Sequence, residues 1–140
     1  MKHSLFASAA VALLAATSAP ASAFDLRVEV MNPRTKDGFV AAAVYDAAAG
    51  WLKEGQAVQV GRVAAGEKSV FLFANLPPGR YAVSVFHDEN GNGKLDANVV
   101  GIPTERYGFS RDARGKMGPP GFADAAIDLG ADTTITIQLQ

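Results

Sequence analysis

The sequence predicts an all-β fold, a single antiparallel β-sandwich of about seven strands. Three observations predict it. Phe24 to Met31 alternates strictly, with Phe24, Leu26, Val28 and Val30 on one face and Asp25, Arg27 and Glu29 on the other. A period of two marks a half-buried strand. Later apolar runs are strand-length and recur at roughly the 8–12-residue spacing of an antiparallel sandwich. Between them stand the glycines, prolines and asparagines that turns require.

Asn32-Pro33 and Lys36-Asp37-Gly38 end the first strand in a turn. Phe39 to Tyr45 is rich in alanine, but its short length, its bounds at Gly38 and Asp46 and its β-branched and aromatic residues make it a strand covered on both faces. Residues 48–61 carry no clear period; Trp51 and Leu52 are expected to pack there, and a short helix fits. Ser69 to Leu76 and Gly79 to His87 read as strands, the second with Tyr81, Val83 and Val85 on one face. Ala125 to Leu129 and Thr133 to Leu139 close the chain, the last with Ile135, Ile137 and Leu139 alternating against Thr134, Thr136 and Gln138. In the run from Asn75 to Val83, two prolines end one strand, Gly79 takes the turn and Tyr81 opens the next. The segment resembles the Leu-Pro-x-Gly-x-Tyr turn of transthyretin-like and collagen-adhesin B-type domains. A tyrosine at such a corner often returns its hydroxyl to the backbone in immunoglobulin-like domains. The resemblance implies an immunoglobulin-like/transthyretin-like sandwich.

The chain has 140 residues, a formal net charge of −1, no cysteine and 49% hydrophobic residues. That charge argues against nucleic acid as a partner, which would call for a basic field. Without cysteine there is no disulfide framework, thiolate zinc site or cysteine nucleophile. Lys2 and His3, the small-residue apolar run from Ser4 to Ala16 and the Ala21-Ser22-Ala23 site have the order of an export leader. The run is too short for a comfortable bilayer crossing, which takes about 20 residues. Residues 1–23 are therefore expected to be a cleaved signal peptide and residues 24–140 one domain, periplasmic or extracellular. No second hydrophobic span follows, so no membrane span is expected after cleavage.

The sharpest chemical signal is Asp88-Glu-Asn-Gly-Asn-Gly-Lys-Leu-Asp96. It follows the calcium-loop template D-x-[DN]-x-[DN]-G. Asp88, Asn90 and Asn92 take positions 1, 3 and 5, Gly93 the sharp bend at 6, Lys94 a backbone carbonyl at 7, Leu95 the apolar place at 8 and Asp96 position 9. Calcium prefers six to eight oxygens on a flexible loop, which these residue types supply. Val99 stands where the bidentate glutamate of position 12 belongs, and the segment before Asp88 reads as a strand rather than an entering helix. Glu105 or Glu89 is the candidate for the missing carboxylate. With so few carboxylates, the expected affinity is in the weak range of about 10⁻⁴–10⁻³ M. The plainer alternative is a hairpin: asparagine and glycine tolerate positive φ, and Asp88 and Asp96 would then accept backbone amides around the turn.

Residues 87–96, Gly101-Ile-Pro-Thr-Glu-Arg-Tyr-Gly-Phe-Ser110 and Gly118-Pro-Pro-Gly-Phe-Ala-Asp-Ala125 together resemble a family of exported bacterial proteins known as domain of unknown function 2141. The resemblance spans most of residues 24–140 and is densest from Leu76 to Ala125. It implies a small secreted β-sandwich with no assigned activity, and it carries no catalytic residues.

Arg106, Arg111, Arg114 and Lys116 surround Tyr107 and Phe109. Such a loop reads either as a solvated connection whose rings plug the sandwich edge or as a grip for a glycan or cell-envelope partner, with Trp51 contributing. Catalysis has little support. His87 is the one histidine after the leader, there is no G-x-S-x-G elbow, and one imidazole cannot build a histidine metal cluster. A small hydrolase would have to rely on carboxylates such as Asp88 or Glu105. The leading expectation is an exported, non-enzymatic β-sandwich with a calcium-binding loop.

Overall fold

Alternating side chains decide which way each strand faces. In the computed structural model, which describes Ala16 and residues 21–140, β1 (Phe24–Met31) buries Leu26, Val28 and Val30 and leaves Arg27 exposed. The second strand, β2 (Phe39–Tyr45), buries Val40, Ala42, Val44 and Tyr45. Then come β3 (Gln59–Ala64), β4 (Lys68–Leu76), β5 (Gly79–Asp88), β6 (Tyr107–Phe109), β7 (Ile127–Leu129) and β8 (Thr133–Gln138). The signal peptide expected over residues 1–23 lies outside the described residues, apart from Ala16 and residues 21–23, which are exposed.

One sheet runs β4-β1-β8; the other runs β3-β2-β5-β6, with β7 also paired to β5. The protein is all-β, with two corrections to the expected architecture. Eight strands form where the spacing predicts about seven. The set is not wholly antiparallel, because β1 and β8 run parallel from Leu26 opposite Thr133 to Met31 opposite Gln138. That pairing joins the two ends of the chain, so no local pattern reports it.

The strands that local pattern misses have physical reasons for being missed. Gly61 removes a side chain from the inward face of β3, and a Cβ there would meet Phe71 Cδ1 at 2.8 Å. The core is filled at that point by β4. β6 is only three residues long and is defined by its antiparallel register with β5, Ser84 opposite Phe109 and Phe86 opposite Tyr107. Residues 125–129 divide between the end of α1 (Phe122–Ala125) and β7. The helix admitted over residues 48–61 is a single 3₁₀ turn at Ala48–Gly50.

Both sheets bury their inner faces in one core. Leu26, Val28, Phe71, Phe73 and Ile137 come from the first; Val40, Val44, Val83 and Val85 come from the second. Each large side chain buried there contributes about 1.5–3 kcal/mol. The Phe71 and Phe73 rings lie parallel with centroids 5.8 Å apart. At the corner between β4 and β5, Tyr81 Oη donates to the Pro77 carbonyl at 2.6 Å, the return bond that the turn sequence predicts. A second cluster covers the β6 side. Trp51 packs 5.2 Å from Tyr45, 5.8 Å from Phe109 and 6.0 Å from Phe122, and its Nε1 donates to the Pro120 carbonyl at 2.8 Å. Buried Ser110 joins this layer to the sheet: its Oγ accepts the Val83 N–H at 2.9 Å and donates to the Ala125 carbonyl at 2.5 Å. Among the described residues, no helix is long and apolar enough to cross a membrane.

Candidate functional site

β5 leaves the core at His87 and Asp88, and the acid- and amide-rich loop begins there. The start of β2 clamps its root. Gly38, at φ +70°, lies so close that a Cβ would stand 2.1 Å from the Asp88 carbonyl oxygen, so a side chain at position 38 would push the loop away. His87 Nε2 approaches the Asp37 carbonyl at 2.7 Å. A carbonyl only accepts, so that nitrogen carries the proton. His87 and Asp88 are 0% and 1% exposed.

The loop folds on its own side chains. Asp88 Oδ1 accepts the N–H of Asn92 at 3.1 Å, and Oδ2 accepts that of Gly93 at 2.8 Å. Asn90 Oδ1 accepts the Asn92 N–H at 3.2 Å, and Asn92 Oδ1 accepts the N–H of Lys94 at 3.0 Å. Gly91 and Gly93 sit at φ +70° and +80°, where glycine meets no steric penalty. The two asparagine amides then donate to Asp96, from Asn90 to Oδ2 at 2.6 Å and from Asn92 to Oδ1 at 2.7 Å. These bonds, that from Asn92 first, hold the Asp96 carboxyl below its ordinary pKa of 3.8, and hydrogen bonding with Glu105 and the charge of Lys94 act in the same sense.

Glu105 closes the loop from the other side. It is 7% exposed, its Oε2 accepts the Glu89 N–H at 2.6 Å and its Oε1 accepts the Asp96 N–H at 2.9 Å. Thr104 adds its N–H and hydroxyl to the Asp96 carbonyl at 2.8 and 3.2 Å. The structure therefore brings Asp88, Asn90, Asn92, Asp96 and Glu105 into one bonded network, while Lys94 joins through its N–H. The hairpin features of the sequence are present too, since Asp88 does accept backbone amides.

Two residues of this network have no local sequence signal. Arg34 donates to Glu89 Oε1 at 3.0 Å and to the Thr104 carbonyl at 2.6 Å. The Arg62 guanidinium lies 3.7 Å from the centroid of the Phe39 ring and 4.0 Å from Asp88 Oδ2. Both come from strands or turns distant in sequence, and only the folded sheet delivers them.

Among the described residues, no three His, Cys, Asp or Glu side chains gather in a group that would hold a metal. The loop differs from such groups because asparagines occupy two of its template positions. Its donors are nonetheless all oxygens, carboxylate, amide and carbonyl, which is the set a hard cation such as calcium takes. The other candidates are engaged elsewhere. Asp88 and Glu105, the carboxylates a hydrolase would use, are buried and hold backbone N–H groups. Trp51 and Phe109, expected as a glycan grip or an edge plug, pack in the aromatic cluster, and Tyr107 is half-buried.

These features define an all-β protein of two sheets whose loop of aspartate, asparagine and glycine leaves an inner strand. The chain belongs to the family described as "Uncharacterized protein conserved in bacteria (DUF2141)", whose model matches residues 28–138. No curated protein and no solved structure matches it.

Proposed function

We propose that the protein is an exported, non-enzymatic sandwich of the immunoglobulin-like/transthyretin-like kind whose 88–96 loop takes a calcium ion. The observation that carries this reading is that Asn90 and Asn92 both reach Asp96 while Asp88 gathers the N–H groups of Asn92 and Gly93, with left-handed glycines at template positions 4 and 6. Asp88, Asn90, Asn92 and Asp96 would supply side-chain oxygens, Lys94 its carbonyl, and Glu105 further negative charge at the loop mouth. The bound cation would offset the charge of these carboxylates and stiffen the loop together with the return that follows, which is pinned by the Ala97–Pro103 bridge. Export rests on the order of features in residues 1–23. A structural rather than catalytic role is supported by Asp88 and Glu105, whose carboxylates accept backbone N–H groups, and by His87 Nε2, which donates to the Asp37 carbonyl.

Thermal melting at fixed ionic strength tests the reading. Millimolar calcium raises Tm; at roughly tenfold excess over Kd the gain is about 1.4 kcal/mol. Asp88→Asn combined with Asp96→Asn abolishes the rise. A melting temperature indifferent to calcium would remove the ion from the account.

A further inference from the structure

We propose that a trough beside the loop binds an anionic amphiphile, its apolar chain lying in the trough and its acidic head meeting Lys116 and Arg114. This goes beyond the ion reading and does not depend on it.

The return from the loop and the connection through residues 115–119 flank the outward surface of β5 and β6, leaving a hollow of about 580 Å³. Such a volume falls in the range of small-molecule sites. Its sides are aliphatic: Leu95, Val100 and Ile102 are 38%, 73% and 59% exposed, and Met117 is 100% exposed. Phe86 and Tyr107 line it from the strands. Isolated exposed apolar side chains need no explanation, but a group of them gathered around one concavity does. A second hollow of about 230 Å³ adjoins the first, sharing Tyr107, Phe109, Gly115 and Gly118, and is lined by Arg114 and Gln140.

The side-chain charge lining the two hollows has one sign. Lys116 lines the larger and Arg114 the smaller, and among the described residues no acidic side chain lines either. Neither cation is in an ion pair among the described residues. An apolar compartment joined to a cationic one matches a molecule with an apolar tail and an anionic head. The gathering of Leu95, Val100, Ile102 and Met117 on its walls favours an apolar chain over a sugar, which would require polar groups along its whole length. A membrane surface would favour apolar side chains on a projecting tip, whereas these line a concavity.

The test uses the full chain with monomeric dodecanoate, followed by calorimetry and by the methyl resonances of Ile102 and Met117. It is run in chelator on the unaltered chain and on Asp88→Asn with Asp96→Asn, so that the outcome is separate from that of the ion reading. Dodecanoate is expected to bind both and to shift those methyls. Lys116→Glu with Arg114→Glu weakens it by about tenfold or more, and Ile102→Asp also weakens it. On the unaltered chain, dodecyltrimethylammonium is expected to bind less tightly. Unmoved methyls, or equal affinity for the cationic amphiphile, would overturn the proposal. Binding to anionic vesicles without binding to monomeric dodecanoate would overturn it in favour of a membrane surface.

Discussion

Glu105 accepts the backbone N–H of Asp96 at 2.9 Å, and with its other oxygen it reaches back to the N–H of Glu89 at 2.6 Å. One buried carboxylate thus ties both ends of the 88–96 loop. Its removal leaves two backbone donors in a partly buried setting, and an unsatisfied buried group costs about 1–3 kcal/mol. Glu105→Ala is therefore expected to lower unfolding free energy by roughly that much, measured by urea denaturation in chelator. Glu105→Gln, which keeps an acceptor oxygen, is expected to lose less. Wild-type stability in the alanine variant would contradict the bracing role.

The depressed carboxyl of Asp96 makes loop stability depend on acid. Asn92 and Asn90 favour its charged form in the folded state. Its contribution is therefore complete above the ordinary value of 3.8 and is lost as the pH falls through the lower folded value. Melting scans from about pH 6 to pH 2 in chelator are expected to show the gap between the wild type and Asp96→Asn closing over that acid range. A carbon-detected titration adds a direct check: Asn92→Ala returns the Asp96 pKa toward its ordinary value. Unchanged titration in that variant would show that the amide bonds are not the cause.

Tyr81 carries an opposite, alkaline dependence. Burial, and then the charge of Asp46, raises its pKa above 10.0. The phenol donates to the Pro77 carbonyl, which only the protonated form can do. Stability from this group is full below the ordinary tyrosine value and declines as the pH rises through the raised one. Tyr81→Phe is expected to cost about 0.5–1.5 kcal/mol near neutrality and to flatten the alkaline limb of the melting profile. An unaltered limb would assign it to another group.

Ser110 serves two buried backbone groups with one side chain. Ser110→Ala leaves the Val83 N–H and the Ala125 carbonyl without their partner. The expected loss is about 1–3 kcal/mol by chemical denaturation, together with weaker hydrogen-exchange protection at Val83. Full protection at Val83 would mean that another acceptor takes over.

Much of this architecture was legible in the sequence because the signals are local. The alternation of Leu26, Val28 and Val30 shows directly which face is buried. The prolines and Gly79 ahead of Tyr81 announce the corner that the hydroxyl closes. The loop pattern brings Asp88, Asn90, Asn92 and Asp96 together because its bonds run between residues two to six positions apart. What escaped is non-local. Gly61 hides β3 by omitting an inward side chain, β6 exists only through its pairing with β5, and the parallel β1–β8 pair joins segments from opposite ends of the chain. Arg34 and Arg62 reach the loop for the same reason, through sheet geometry that no spacing rule encodes.

A calcium titration followed by backbone amide resonances, at constant ionic strength, tests the central proposal most directly. The amides of residues 88–96, Gly93 and Asp96 among them, are expected to shift together with a midpoint of about 10⁻⁴–10⁻³ M. Asp88→Asn with Asp96→Asn is expected to remove the response. Loop amides that stay in place through millimolar calcium, while the fold remains intact, would contradict it and leave the loop as a hairpin held by its own hydrogen bonds.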